Sequence, residues 1–338
     1  MVFSTNQGFR FGLDDMIINT TYGDFDLSVS LGDGITVGNS TPDGSGKWLT
    51  QSDMDTIIYY AKSKDIEIVP ELDMPSHMGC ILKDFPDFKL ENRCIDIKNE
   101  RSVDFAIQIF LRYINYFKSK GLQYVMLGGD EMPVPYNDAF NYYYSHFINR
   151  LCHIATTKGI VPLIYNDYIG YGGENKYNIN NGVIVAYWEP KDTSATTKVI
   201  DRLGFNLINT GWDLYWVLGG SSVAPQPTLE SLELFDPYTT CDGIICPNVS
   251  GAMFCIWCDK GITDGADDGN NVMAVTLPLV EKFGSVLPTK LKSGYLSALP
   301  TLLRPPFPLL GQSTFDTTLN KPIWYTGTAW VDATGTIV

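Results

Sequence analysis

The sequence predicts an α/β fold whose parallel strands close as a (β/α)8 barrel, followed by a short β tail. Three observations predict it. Short apolar runs alternate with amphipathic helical stretches, a pattern that calls for parallel strands joined by crossover helices. Most of these runs end in a polar or aromatic residue, at the strand end where barrels of this kind carry their active sites. After about residue 290 the texture changes and prolines punctuate the chain.

The strand units come in order. Val2-Phe3 with Phe9-Arg10-Phe11 opens the series, and Ile66-Glu67-Ile68-Val69-Pro70 follows. Further apolar runs cover 124–127, 160–165, 183–187, 205–208 and 252–256. Helical patterns lie between them. Residues 51–64 put Met54, Ile57, Ile58 and Ala61 on one face, with Thr50 or Ser52 as the cap. Residues 103–118 end in basic residues before Gly121, and 141–158 close at Gly159. That makes seven strand units, where a closed barrel needs eight. The expectation is a barrel domain over 1–290, a Pro-rich linker over 291–312 carrying Pro300, Pro305, Pro306 and Pro308, and a β-hairpin module over 313–338.

Bulk composition narrows the function classes. A chain of 338 residues with 44% hydrophobic and 18% charged residues can bury a large core. A net charge of −14 argues against nucleic acid and anionic membrane surfaces as partners. No run is long and apolar enough to span a bilayer, so membrane insertion is not expected. Met1-Val2-Phe3-Ser4-Thr5 lacks the features of a signal peptide, which leaves extracellular, cell-surface and phage-associated settings all plausible. Seven cysteines without metal spacing, and only three histidines, point to free thiols and no metal site. Cys255-Ile256-Trp257-Cys258 mimics a redox dithiol but lies in a strand pattern, so it reads as core.

The informative chemistry sits at the strand ends. Gln123-Tyr124-Val125-Met126 reads as a buried strand, and Leu127-Gly128-Gly129-Asp130-Glu131 ends it with adjacent acids. Pro70-Glu71-Leu72-Asp73-Met74-Pro75-Ser76-His77 ends another with carboxylates and a histidine. Tyr165-Asn166-Asp167, Tyr187-Trp188-Glu189 and Asn209-Thr210-Gly211-Trp212-Asp213-Leu214-Tyr215 follow, and the last unit delivers Trp257 and Asp259. Carboxylates walled by tryptophans describe a pocket for a hydroxylated ring, with an acid poised to protonate a leaving group. Adjacent carboxyls raise one of their two pKa values by like-charge repulsion, and the sequence does not say which. His77 is expected to bond a neighbouring carboxylate, with His77 and Asp73 supporting the site or touching substrate.

This ordered set, from Phe9 to Asp259, resembles the family 20 glycoside hydrolases, the β-N-acetylhexosaminidases. The 209–219 stretch is most similar to the bacterial surface branch. The resemblance implies a TIM-type barrel and retaining, substrate-assisted hydrolysis of terminal β-linked GlcNAc or GalNAc through an oxazolinium intermediate, with no cofactor. It implies that Glu131 is the general acid, later the base. Asp130 would orient the acetamido group, and Tyr215 would donate to the acetamido oxygen. Trp188 and Trp257 would wall the sugar, with Asp167, Asp259, His77 and Asp73 as further substrate-site candidates.

Two departures stand out. The family draws a sugar-gripping arginine from its first barrel strand, and the series here starts at the second. Thr5 stands where an acid is often found, and Arg10 is not the missing arginine. The expectation is a barrel lacking its first strand and helix, completed by the C-terminal segment, a homo-oligomer or another partner. Residues 315–324 also resemble short modules of phage structural proteins. The alternatives kept open are a catalytically weak glycan-binding relative and a lacto-N-biosidase-type enzyme.

Overall fold

Apolar runs at 161–165 and 184–187 have few polar residues to offer solvent, and they become the centre of a parallel sheet. In the computed structural model, Val249–Ala252, Asn206–Asn209, Ile184–Tyr187, Val161–Tyr165 and Tyr124–Met126 pair in that order, all parallel. Glu71 extends the sheet through a parallel bridge to Met126. There the Met126 amide donates to the Pro70 carbonyl at 2.8 Å, and the Leu72 amide to the Met126 carbonyl at 2.9 Å. The structure describes residues 3–4, 8–37, 44–91, 93–132, 137–169, 178–180, 182–189, 196–217, 226–246, 249–257, 269–291, 297–299, 301, 304 and 313–338.

The helices follow their capping chemistry. Gln51–Lys62 starts at a reciprocal cap between Thr50 and Asp53, and stops two residues before the expected end, where Asp65 turns left-handed. Glu100–Ser119 begins at the Asn99 cap, three residues earlier than expected, and closes before Gly121 at φ +77°. Asp138–Thr157 is capped by Asn137. Phe105, Phe110, Tyr113 and Phe117 from one helix, and Tyr144, Phe147 and Leu151 from the next, are fully buried in one core with Val125 and Ile164. Each such side chain contributes about 1.5–3 kcal/mol of burial, so these faces fix how the helices cover the sheet.

Three expectations change. The 2–11 segment is not a parallel unit of the main sheet among the described residues. Phe3–Ser4 pairs antiparallel with Gly8–Phe9, and Phe9 exchanges both backbone hydrogen bonds with Gly32 at 2.9 Å. A neighbouring loop has satisfied the groups a sheet partner would need. The last unit splits into Val249–Ala252, on the main sheet, and Cys255–Trp257, which pairs parallel with Tyr215–Val217. A helix over Gly269–Lys290 was not anticipated, and its Leu279 packs with Leu214, Leu232 and Phe235 in a separate small core.

Beyond it, Ser297–Leu299 pairs parallel with Ser313–Asp316, which pairs antiparallel with Lys321–Tyr325, and that in turn with Trp330–Asp332. A strand therefore lies inside the 291–312 stretch, while Pro300, Pro305, Pro306 and Pro308 lie outside the described residues. No helix among the described residues is long and apolar enough to cross a membrane.

Candidate active site

After Met126 the chain must turn sharply, and two glycines allow it. Gly128 and Gly129 have φ of +73° and +85°. A Cβ on Gly128 would lie 1.9 Å from Asp73 Oδ1, and one on Gly129 would lie 2.8 Å from both the Ile164 side chain and the Tyr144 hydroxyl. Only glycine lets this turn sit so close beneath the neighbouring strand end.

Glu131 itself is left-handed, at φ +48°, a conformation that costs a non-glycine residue about 1–3 kcal/mol. Three hydrogen bonds hold it there. Its amide donates to Asp167 Oδ1 at 3.0 Å. Its carbonyl accepts from Arg93 Nη2 at 3.0 Å and from Ser76 Oγ at 3.2 Å. The result aims the Glu131 carboxyl outward, 38% exposed, while Asp130 is buried beside it.

The charges gather around one imidazole. His77 Nε2 lies 3.6 Å from Asp130 Oδ2 and 3.5 Å from Glu131 Oε2. Burial works against the imidazolium, but the carboxylates of Asp73, Asp130 and Glu131 outweigh it and raise His77 to about 10. Asp73, only 4% exposed, is pushed well above the usual carboxylate range by burial, although the His77 charge opposes the shift. Burial, reinforced by the Asp130 charge, raises Glu71 to about 6.

Asp73, His77 and Asp130 also form a group whose ligand atoms lie within 4.8 Å of one another. His77 faces the Asp130 and Glu131 carboxylates at 3.6 Å and 3.5 Å, an arrangement that suits charge pairing.

An aromatic wall stands over the cluster. The Trp188 and Tyr215 rings lie nearly parallel, 10° apart with centroids at 6.2 Å, and Trp257 approaches Tyr215 at 6.0 Å. Asn166 pins the backbone beneath Trp188, accepting its amide at 2.9 Å and donating to the Glu189 carbonyl at 2.6 Å. The Trp257 indole N–H is buried without a hydrogen-bond partner among the described residues. Burial raises the Tyr215 phenol well above its ordinary value, and the charges of Asp130 and Asp167 add to the shift. Tyr215 therefore stays a donor.

The structure brings Asp73, His77, Asp130, Glu131, Asp167, Trp188, Tyr215 and Trp257 to one end of the sheet. Asp167 was expected as a sugar-hydroxyl contact, and it hydrogen-bonds the Glu131 amide and the Trp188 indole. It is 1% exposed, with one oxygen on the Glu131 amide and the other on the Trp188 indole at 2.7 Å, so it braces the site from behind. Asp259, Cys258 and Thr5 lie outside the described residues. Arg10 pairs with Asp33 at 3.2 Å. Cys255 is a free thiol in a strand, pushed up to about 12 by burial, as expected of core. Arg93 was missed. It lies in no motif, and only the folded chain brings it to Glu131.

Residues 4–238 match the model of glycosyl hydrolase family 20, catalytic domain. The chain belongs to glycosyl hydrolase family 20. Among characterised relatives, the lacto-N-biosidase of Bifidobacterium bifidum is 24% identical over 207 residues, which is 53% of this chain but 18% of that protein. Solved structures share the fold. The pneumococcal virulence factor StrH superposes with a TM-score of 0.68 at 21% identity, covering 84% of this chain and 75% of that one. A β-N-acetylhexosaminidase of Streptomyces coelicolor gives 0.62 at 17% identity, with 84% and 56% covered. A Vibrio harveyi exo-β-N-acetylglucosaminidase with N-acetylglucosamine gives 0.61 at 15% identity, with 84% and 48% covered.

Proposed function

We propose that this chain carries a retaining exo-β-N-acetylhexosaminidase that releases terminal β-linked GlcNAc or GalNAc, working in a TIM-type barrel over residues 1–290 that lacks its first strand and helix. The observation that carries this reading is the Asp130–Glu131 pair. One carboxyl is buried, and the other is 38% exposed and turned outward by a left-handed backbone. Two adjacent acids in such different environments suit two different tasks.

The substrate's acetamido oxygen attacks the anomeric carbon as the bond to the leaving oxygen breaks, and Glu131 gives that oxygen its proton. Asp130 orients the acetamido N–H and balances the positive charge that grows on it. Tyr215 donates its hydroxyl to the acetamido oxygen, while Trp188 and Trp257 exclude water around the oxazolinium. Glu131, now a carboxylate, takes a proton from water as that water opens the ring, and two inversions leave net retention.

A disaccharide-releasing specificity is the second reading, favoured by the likeness to lacto-N-biosidase. It uses the same residues with a longer subsite.

The mechanism is tested with 4-nitrophenyl glycosides whose acetamido group is progressively fluorinated. A nucleophilic acetamido group predicts a steep fall in kcat/KM with each fluorine, and a β-configured first product by NMR. A flat series, or an α-configured product, contradicts it. Release from the lacto-N-bioside but not from the N-acetylglucosaminide selects the second reading.

A further inference from the structure

We infer that Arg93 is a positioning residue for the acid, holding Glu131 so that its free oxygen, Oε1, faces the leaving group. The inference rests on the hexosaminidase reading above.

Arg93 is tied to the His77 loop by its own backbone: its carbonyl accepts the Met78 amide at 2.9 Å, and two residues on the Ile95 amide donates to the Pro75 carbonyl at 3.0 Å. From this frame the guanidinium reaches Glu131 twice. Nη2 donates to the backbone carbonyl at 3.0 Å and Nη1 lies 3.4 Å from Oε2. Ser76 Oγ donates to the same carbonyl, and Cys94 Sγ donates to Ser76 Oγ at 3.2 Å, so the residue after Arg93 steadies the second clamp. A planar fork with one prong on the backbone and one on the side chain fixes both the left-handed φ and the carboxyl rotamer.

The two side chains also distinguish the oxygens. Arg93 and His77 both address Glu131 Oε2, from 3.4 Å and 3.5 Å. Among the described residues Oε1 makes no hydrogen bond within the protein. With Oε2 addressed from both sides, Oε1 is the oxygen left free for the substrate. Both of these contacts are to Glu131, which separates this role from that of an arginine that grips hydroxyls.

The test compares kcat/KM of wild type, Arg93→Met and Arg93→Lys on two N-acetyl-β-glucosaminides. One carries 2,4-dinitrophenolate, which leaves without protonation, and the other a methoxide-type alkyl group, which needs the acid. Misplacing an acid costs on the order of a hundredfold where proton transfer matters. Arg93→Met is expected to lose about that factor on the alkyl glycoside and less than about threefold on the dinitrophenyl one. Arg93→Lys should recover part of the alkyl-glycoside rate. Equal losses on both substrates, or no loss on either, overturn the inference, and melting curves of the two variants show whether an equal loss reflects unfolding. A wild-type protein that turns over neither glycoside instead overturns the hexosaminidase reading and takes this inference with it.

Discussion

The indole Nε1 of Trp188 donates to Asp167 Oδ2 at 2.7 Å, while the other oxygen of that carboxylate takes the Glu131 amide. One buried side chain therefore sets both the aromatic wall and the backbone of the acid. Each partner is an N–H, so Asp167 must accept on both oxygens.

Asp167→Asn keeps the size and loses one acceptor. Its amide nitrogen would face an N–H, leaving a buried donor unpaired at a cost of about 1–3 kcal/mol. We expect activity to fall by about tenfold to a hundredfold, with a larger effect on kcat than on KM. Steady-state kinetics on an aryl N-acetylglucosaminide measures it. Wild-type kcat in this variant would remove Asp167 from the account.

Gly128 is a steric prediction. Gly128→Ala places a Cβ against Asp73 Oδ1 in a backbone conformation that disfavours any side chain, and should destabilise the fold by more than about 1 kcal/mol. Gly251→Ala is the control, because a Cβ there meets nothing within 4 Å. Denaturant melts that rank the two substitutions equally would argue against the turn as described.

The pH dependence has a definite sign. His77 is raised in the folded state to about 10 from an ordinary value of 6.5. Its contribution to stability is fully present below about pH 6.5 and is lost as pH rises through about 10. Glu71 acts over a different window: with its folded value near 6, stability drains as pH climbs from 4.5 to about 6. The gap in Tm between wild type and His77→Gln should therefore be widest near pH 6.5 and shrink towards pH 10. A gap that widens with pH would show the imidazole to be neutral in the folded protein.

The legible parts of this site were those written in local chemistry. Gly128-Gly129-Asp130-Glu131 announced itself because adjacent acids after an apolar strand have no packing role, and the tryptophans because they end strands. Arg93 was hidden, and Ser76 stood in its motif without a role, since their value comes from meeting the Glu131 carbonyl 38 and 55 residues away. The Gly269–Lys290 helix was hidden for another reason. Pro278 and Pro288 lie inside it and read as breakers, yet both are accommodated in the folded helix. The 2–11 segment misled in the opposite sense: its apolar residues fit a barrel strand, and a neighbouring loop claimed its hydrogen bonds.

The central claim is that Glu131 is the acid of a working hexosaminidase. The most direct test measures release of 4-nitrophenol from its N-acetyl-β-glucosaminide by the wild-type chain and by Glu131→Gln, which keeps the shape but cannot give or take the proton. The account predicts turnover by the wild type and a loss of about a hundredfold or more in the variant. Equal turnover by the two proteins would contradict it, as would a folded wild-type chain that binds N-acetylglucosamine and never releases product.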